Sequence, residues 1–441
     1  MLLRFVVLGL VSAAVFGATS ASATSHGSPV SVVLISLVVI LIAAKLGGAL
    51  AEHFRQPAVL GELAFGVILG NLALLGFQGL DYLKSHEAIT ILAEIGVIFL
   101  LFEVGLESNI KGMLEVGASS FLVALVGVIA PMLLGWGVAA WFLPQAGTLV
   151  HVFIGATLCA TSVGITARVL KDLGKTAAKE SRIILGAAVI DDVMGLVILA
   201  AISGIIKATD QGGAGISGLS IAFIVLKAIA FLVLAIWIGS RISPRLFSLA
   251  SRLNVHGMLL TTSLCFCFLL SFLANLIELA PIVGAFAAGL ILDPLHYRDF
   301  RERGEHTIEE LVRPISTFLV PVFFILMGVK VDLRTFADSS ILGFALVLTL
   351  VALVGKQACA LAVLERGVDR LSVGVGMIPR GEVGLIFASI GASLMLKGVP
   401  VVSSSTYSAV VIMVIISTLV TPPLLKAALA RGDRRKKLRG E

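Results

Sequence analysis

The chain has 441 residues, of which 58% are hydrophobic and only 14% charged, with a mean hydropathy of +1.07. A soluble domain is typically about a quarter charged, so the composition excludes that class, and apolar runs of about 20 residues from end to end indicate a polytopic helical membrane protein. The net charge of +6 therefore carries no suggestion of nucleic acid; it reports which links between spans hold the lysines and arginines.

Residues 1–23 read as an export signal. Arg4 provides a positive start, residues 5–16 an apolar core, and Ala21-Ser22-Ala23 the small-residue cleavage pattern. Residues 30–426 form the transmembrane domain, and 427–441 a short basic tail. We count about thirteen spans of membrane-crossing length. They lie near 30–51, 58–77, 88–107, 114–143, 149–170, 182–206, 219–240, 257–278, 280–293, 313–329, 340–364, 371–396 and 404–426. With the mature N-terminus outside, the inward links collect Arg55, Lys111, Lys171, Lys175, Lys179, Arg182, Arg241, Arg245, Arg252, Arg298, Arg301, Arg303, Arg366 and Arg370, besides the basic tail. The outward links hold only Lys84, Lys207, Lys330, Arg334 and Lys397. This asymmetry predicts a periplasmic or extracellular N-terminus and a cytoplasmic C-terminus in the cell membrane. Cys159, Cys265, Cys267 and Cys359 fall inside apolar segments and read as buried small side chains.

Weak internal similarity sets the architecture. The stretch from Pro57 to Gly70 resembles the one from Pro281 to Leu292, and Phe99-to-Gly105 resembles Phe323-to-Gly328, both about 224 positions apart. In span number the second and third pair with the ninth and tenth. That offset of seven is odd, so the repeats face opposite ways, the inverted topology of secondary transporters. The same offset pairs the fifth span with the twelfth, and both are interrupted: one by Thr161-Ser162-Val163-Gly164, the other by Ile378-Pro379-Arg380-Gly381-Glu382. Proline removes a backbone donor and glycine relaxes the helix, so each can unwind at mid-depth. Two broken helices in corresponding halves point to a midplane site.

Charge inside the spans marks the same place. Asp191 and Asp192 stand near the middle of the sixth span, where an ionisable group is costly unless paired, hydrated or functional. Adjacent helical residues are about 100° apart, so one aspartate can meet Lys356 of the eleventh span while the other faces an aqueous cavity. Arg380 and Glu382 lie at the second break, where structural pairing and a part in transport are both open. Glu62, Glu94 and Glu103 of the second and third spans receive no assignment.

Asp191-Asp192, the break at 161–164, Gly355-Lys356 and the run from Gly376 to Gly384 together resemble the monovalent cation:proton antiporters, specifically the bacterial sodium/proton branch, over about 30–426. The resemblance implies an all-α membrane fold of about 13 helices with inverted-topology repeats and two crossed discontinuous helices. It implies Asp192 as the carboxylate that binds sodium, Asp191 as the partner of Lys356, Thr161 and Ser162 at the crossing, and Glu382 near a cytoplasmic funnel. Gly164, Pro379 and Arg380 are grouped with Glu382 as candidate gating or break-supporting residues, and Glu103, whose partner the sequence leaves open, is placed with them as a candidate. A homodimer in the lipid bilayer and an elevator-like alternating-access cycle are also implied, with transported sodium and protons and no cofactor. Such a protein is a transporter and not an enzyme. About fifteen residues follow the last span, so no nucleotide-binding regulatory domain is expected in this chain.

Chemistry supports the same reading: a hydrated carboxylate takes either a hard cation or a proton, and that competition couples the two fluxes. If Lys356 or Asp191 also titrates, two protons move per sodium, the electrogenic case. Rival readings are a potassium/proton antiporter of the same family and a sodium-coupled symporter for an organic anion. The symporter has no need of Asp191-Asp192 with Lys356.

Overall fold

The computed structural model describes residues 29–439 except 55, 108–116, 176–177, 211–217, 254, 256, 278, 294–296, 298–299, 301–305 and 366. The export-signal segment 1–23 and the link residues Arg55, Lys111, Arg298, Arg301, Arg303 and Arg366 lie outside the described residues. In hydrocarbon every backbone polar group must be satisfied within its own segment, so apolar runs of this length fold as helices. In order they are α1 (Pro29–His53), α2 (Ala58–Gly70), α3 (Glu87–Glu107), α4 (Ala118–Phe142), α5 (Thr148–Thr157), α6 (Val163–Asp172), α7 (Lys179–Asp210) and α8 (Gly218–Ser251). There follow α9 (Met258–Leu276), α10 (Pro281–Ile291), α11 (Ile308–Val329), α12 (Ser339–Gln357), α13 (Arg370–Gly376), α14 (Gly381–Ser393) and α15 (Ser404–Arg439).

Every expected span is helical, with α5 and α6 forming the fifth and α13 and α14 the twelfth. Among the described residues nine helices are long and apolar enough to cross a membrane, and four shorter apolar ones accompany them. Several boundaries differ from the sequence reading. The second span is helical only to Gly70 and continues as a 3₁₀ turn, Leu72–Leu75. The twelfth ends at Ser393, because Lys397 and Gly398, both at positive φ, turn a short hairpin of β1 (Met395–Leu396) and β2 (Val399–Pro400). The thirteenth runs on to Arg439 through Pro422 and Pro423, so the stretch expected as a separate tail continues the last helix. Cys265 is exposed on α9, whereas the other three cysteines are buried.

Contacts divide the chain into two units, one of residues 1–100 and 310–335, the other of residues 101–309 and 336–441. In the first unit α2 crosses α11 where Gly66 meets Gly328. A methyl group on Gly66 would lie 2.3 Å from the Ile325 carbonyl oxygen, and one on Gly328 would lie 2.3 Å from that of Leu63. In the second unit α3 crosses α10 where Gly105 meets Gly289. Here the same test gives 2.3 Å to the Phe286 oxygen and 2.2 Å to that of Phe102. Each residue lies 223 positions from its counterpart (63 and 286, 66 and 289, 102 and 325, 105 and 328). The two crossings are therefore the same contact made twice, which is what an internal two-fold relation between the repeats produces. Small residues let helix backbones meet this closely without a hydrophobic driving force.

Candidate functional site

The site lies within the second unit. The first broken helix runs as α5 to Thr157, leaves helical geometry between Leu158 and Ser162, and resumes at Val163 as α6. The interruption thus begins earlier than Thr161, and Val163 and Gly164 already belong to α6. The second breaks between Met377 and Arg380, and Gly381 begins α14. Gly381 has φ +43°, and a methyl group there would lie 2.4 Å from the Ser162 Cβ, so the two breaks touch at a residue that must be glycine.

Unwinding frees backbone groups, and each break satisfies the other's. The Ser162 amide donates to the Pro379 carbonyl at 2.7 Å. The Thr161 hydroxyl donates to the Met377 carbonyl at 3.2 Å, and the Thr166 hydroxyl to that of Gly376 at 2.7 Å. Arg380, fully buried, donates to the Leu158 carbonyl, to that of Ala160 at 3.1 Å and to that of Ala352 on α12 at 2.9 Å. The guanidinium therefore sits against the carbonyl end of α5, the negative end of its dipole, and ties both broken helices to α12. Thr166 and the carbonyl-binding role of Arg380 are absent from the sequence reading. A threonine one turn into a broken segment was the only available signal for the first.

α7 presents the carboxylates. Asp191 and Lys356 have no solvent exposure, and the Lys356 Nζ lies 3.1 and 3.2 Å from the two Asp191 carboxylate oxygens. Asp192 is 7% exposed. One turn further along α7, a methyl group on Gly195 would stand 3.8 Å from the Ala160 Cβ, so this part of the helix abuts the first break. α4 approaches the lysine through Gly127, whose added methyl group would lie 2.8 Å from the Cys359 Sγ and 3.4 Å from the Lys356 Nζ. Lys356 itself occupies the last turn of α12, where a cation is favoured.

The fold thus brings together Asp191, Lys356, Thr161, Ser162, Pro379 and Arg380, with Asp192 next to Asp191 on α7 and Gly164 in the first turn of α6. Glu382 is the second residue of α14, and its side chain lies outside the described residues. Glu103 is half-buried on α3, which carries neither of the two breaks. Glu62 and Glu94 belong to the first unit. Among the described residues, no three His, Cys, Asp or Glu side chains gather in an arrangement able to hold a metal ion.

Residues 33–431 match the family model described as sodium/hydrogen exchanger, transmembrane. The chain is 38% identical over 436 residues to the high-affinity Na+/H+ antiporter NhaS3 of Synechocystis, covering 90% of this chain and 89% of that one. It is 34% identical to the Na+/H+-K+ antiporter GerN of Bacillus cereus, covering 91% and 97%. In fold it resembles the sodium proton antiporter MjNhaP1 of Methanocaldococcus jannaschii, with a TM-score of 0.63 at 17% identity over 94% of this chain and 100% of that one. Together with its apolar helices, these matches make the chain an integral multi-pass membrane protein.

Proposed function

The chain belongs to the sodium/hydrogen exchanger family, and we propose that it exchanges sodium for protons by alternating access, with Asp192 as the group that takes up either ion. The observation that carries this is the division of labour between adjacent carboxylates: Asp191 is occupied by Lys356 at 3.1 Å, while Asp192, its neighbour on α7, points about 100° away from it. Asp192 deprotonates, sodium binds its carboxylate with neutral oxygens, and the loaded site is exposed on the other side, where a proton replaces the ion. Thr161 and Ser162 hold the crossing in register, and Arg380 neutralises carbonyls that the break leaves free.

Sodium at Asp192 also weakens the neighbouring Asp191–Lys356 pair, and the exchange is electrogenic, with more than one proton moved for each sodium. The orientation follows the distribution of basic links, with the C-terminus cytoplasmic. The working form is a homodimer, and the protein performs transport rather than covalent chemistry. Sodium is favoured over potassium because the bacterial relatives NhaS3 and GerN are both named for sodium, although the name of GerN includes potassium as well.

The test is the collapse of a preformed proton gradient in everted membrane vesicles on adding sodium, lithium or potassium. Sodium collapses it with the unaltered protein and not with Asp192→Asn. A preference for potassium would move the protein to the potassium reading, and a fully active Asp192→Asn would remove Asp192 from the site.

A further inference from the structure

A groove of about 440 Å3 opens between α12, α13 and α15, within the roughly 300–1,000 Å3 of ordinary small-ligand sites. Its walls include Val354 on α12, Val375 on α13 and Ala427 on α15, and it reaches Ile378 at the second break. Its polar groups include Gln357 and Arg431. Val354 is 57% exposed, and in a multi-pass membrane protein such apolar exposure faces acyl chains. Any lipid tail could wet an apolar groove, but the net positive charge beside this one favours a headgroup of net negative charge. From Arg431 to Arg439 the chain carries six basic residues against one carboxylate, Asp433. That carboxylate is held by Lys175. A basic segment at the end of a span attracts anionic lipid, and an arginine fork grips a phosphate with two parallel bonds.

The geometry points to an anionic phospholipid bound here, one acyl chain in the groove and its phosphate on Arg431. The walls are the helix that carries Lys356, the first half of the second broken helix and the last helix. A chain lodged among them braces the elements that hold the site, so the exchange rate follows the anionic lipid content of the membrane.

Binding is measured without reference to transport. The full-length protein, purified in neutral detergent, is titrated with phosphatidylglycerol or phosphatidylcholine and the adducts counted by native mass spectrometry. The unaltered chain prefers phosphatidylglycerol by about tenfold or more. Arg431→Gln removes the preference, and so does Ala427→Trp, which fills the groove and leaves the charge unchanged. Val354→Phe fills it from the opposite wall and serves if Ala427→Trp fails to give a monodisperse protein. Equal binding of the two lipids by the unaltered chain overturns the proposal. So does loss of the preference in Arg431→Gln alone, since surface charge without the groove would then account for it.

Discussion

The Lys356 ammonium lies 3.1 and 3.2 Å from the two carboxylate oxygens of Asp191, and neither residue is exposed. The pair joins α7 to α12 across 165 positions of sequence. Removing one member of a buried pair leaves the other charge uncompensated, at a cost of about 3–5 kcal/mol, whereas removing both can be nearly neutral. Lys356→Met should therefore melt well below the unaltered protein in detergent, and the double variant Asp191→Asn/Lys356→Met should recover much of the loss. Additive losses in the thermal unfolding series would show that the two groups do not depend on each other.

Arg380 donates to two carbonyls of the first break, just past the end of α5, and to one of α12 through a planar fork, which an ammonium cannot reproduce. Arg380→Lys keeps the charge, yet should cost on the order of 2–4 kcal/mol, because hydrogen bonds from a charged donor are each worth about 1.5–3 kcal/mol. Unfolding midpoints compared with Arg380→Gln separate charge from geometry, and a lysine variant as stable as the original would refute the argument.

The Thr166 hydroxyl donates to Gly376 across the crossing. Thr166→Val should lose about 1 kcal/mol and slow exchange with little change in the sodium concentration for half-maximal rate, while Thr166→Ser keeps both. A valine variant transporting at the original rate would make this bond dispensable to the crossing.

Repeat symmetry predicts matched failures. Gly66→Ala and Gly289→Ala place a methyl group 2.3 and 2.2 Å from a backbone oxygen at equivalent crossings, so both should reduce the yield of monodisperse protein by similar factors. Gly137→Ala, with nothing within 4 Å, is the control. Unequal effects at the two crossings would mean that they do not bear equivalent packing.

Outside the spans, the exposed Asp338 caps α12 by accepting from the Ser340 amide. That bond holds its carboxyl below the ordinary aspartate range. Because the folded value lies below the unfolded one, the stabilisation is present above the unfolded value and disappears as pH falls through the folded one. Asp338→Ala should melt lower than the unaltered protein at neutral pH, with the gap closing under acid conditions. A gap independent of pH would assign the effect to something other than the carboxylate.

Composition and periodicity are one-dimensional properties, and they were sufficient for much of this molecule. A run of about 20 apolar residues can only be a buried or membrane helix, so the spans were legible, as were the two interruptions, because proline and glycine act locally. The acidic pair stood out for the same reason: the cost of a charge in hydrocarbon depends on depth along the chain. Even the repeat was visible, at an offset within a residue or so of the one at which the glycine crossings recur.

What the tertiary structure decided is everything that depends on the rotation of one helix about its axis relative to another. Helical geometry says that Asp191 and Asp192 face different ways; only packing turns Asp191 toward Lys356. The same holds for Arg380, whose three carbonyl partners come from segments up to 222 positions away, and for Thr166, whose neighbour across the crossing leaves no mark in its own segment. Local propensity sets where a helix begins and breaks. The pairing of groups freed at those breaks is set by contacts between helices, and no single segment of sequence encodes it.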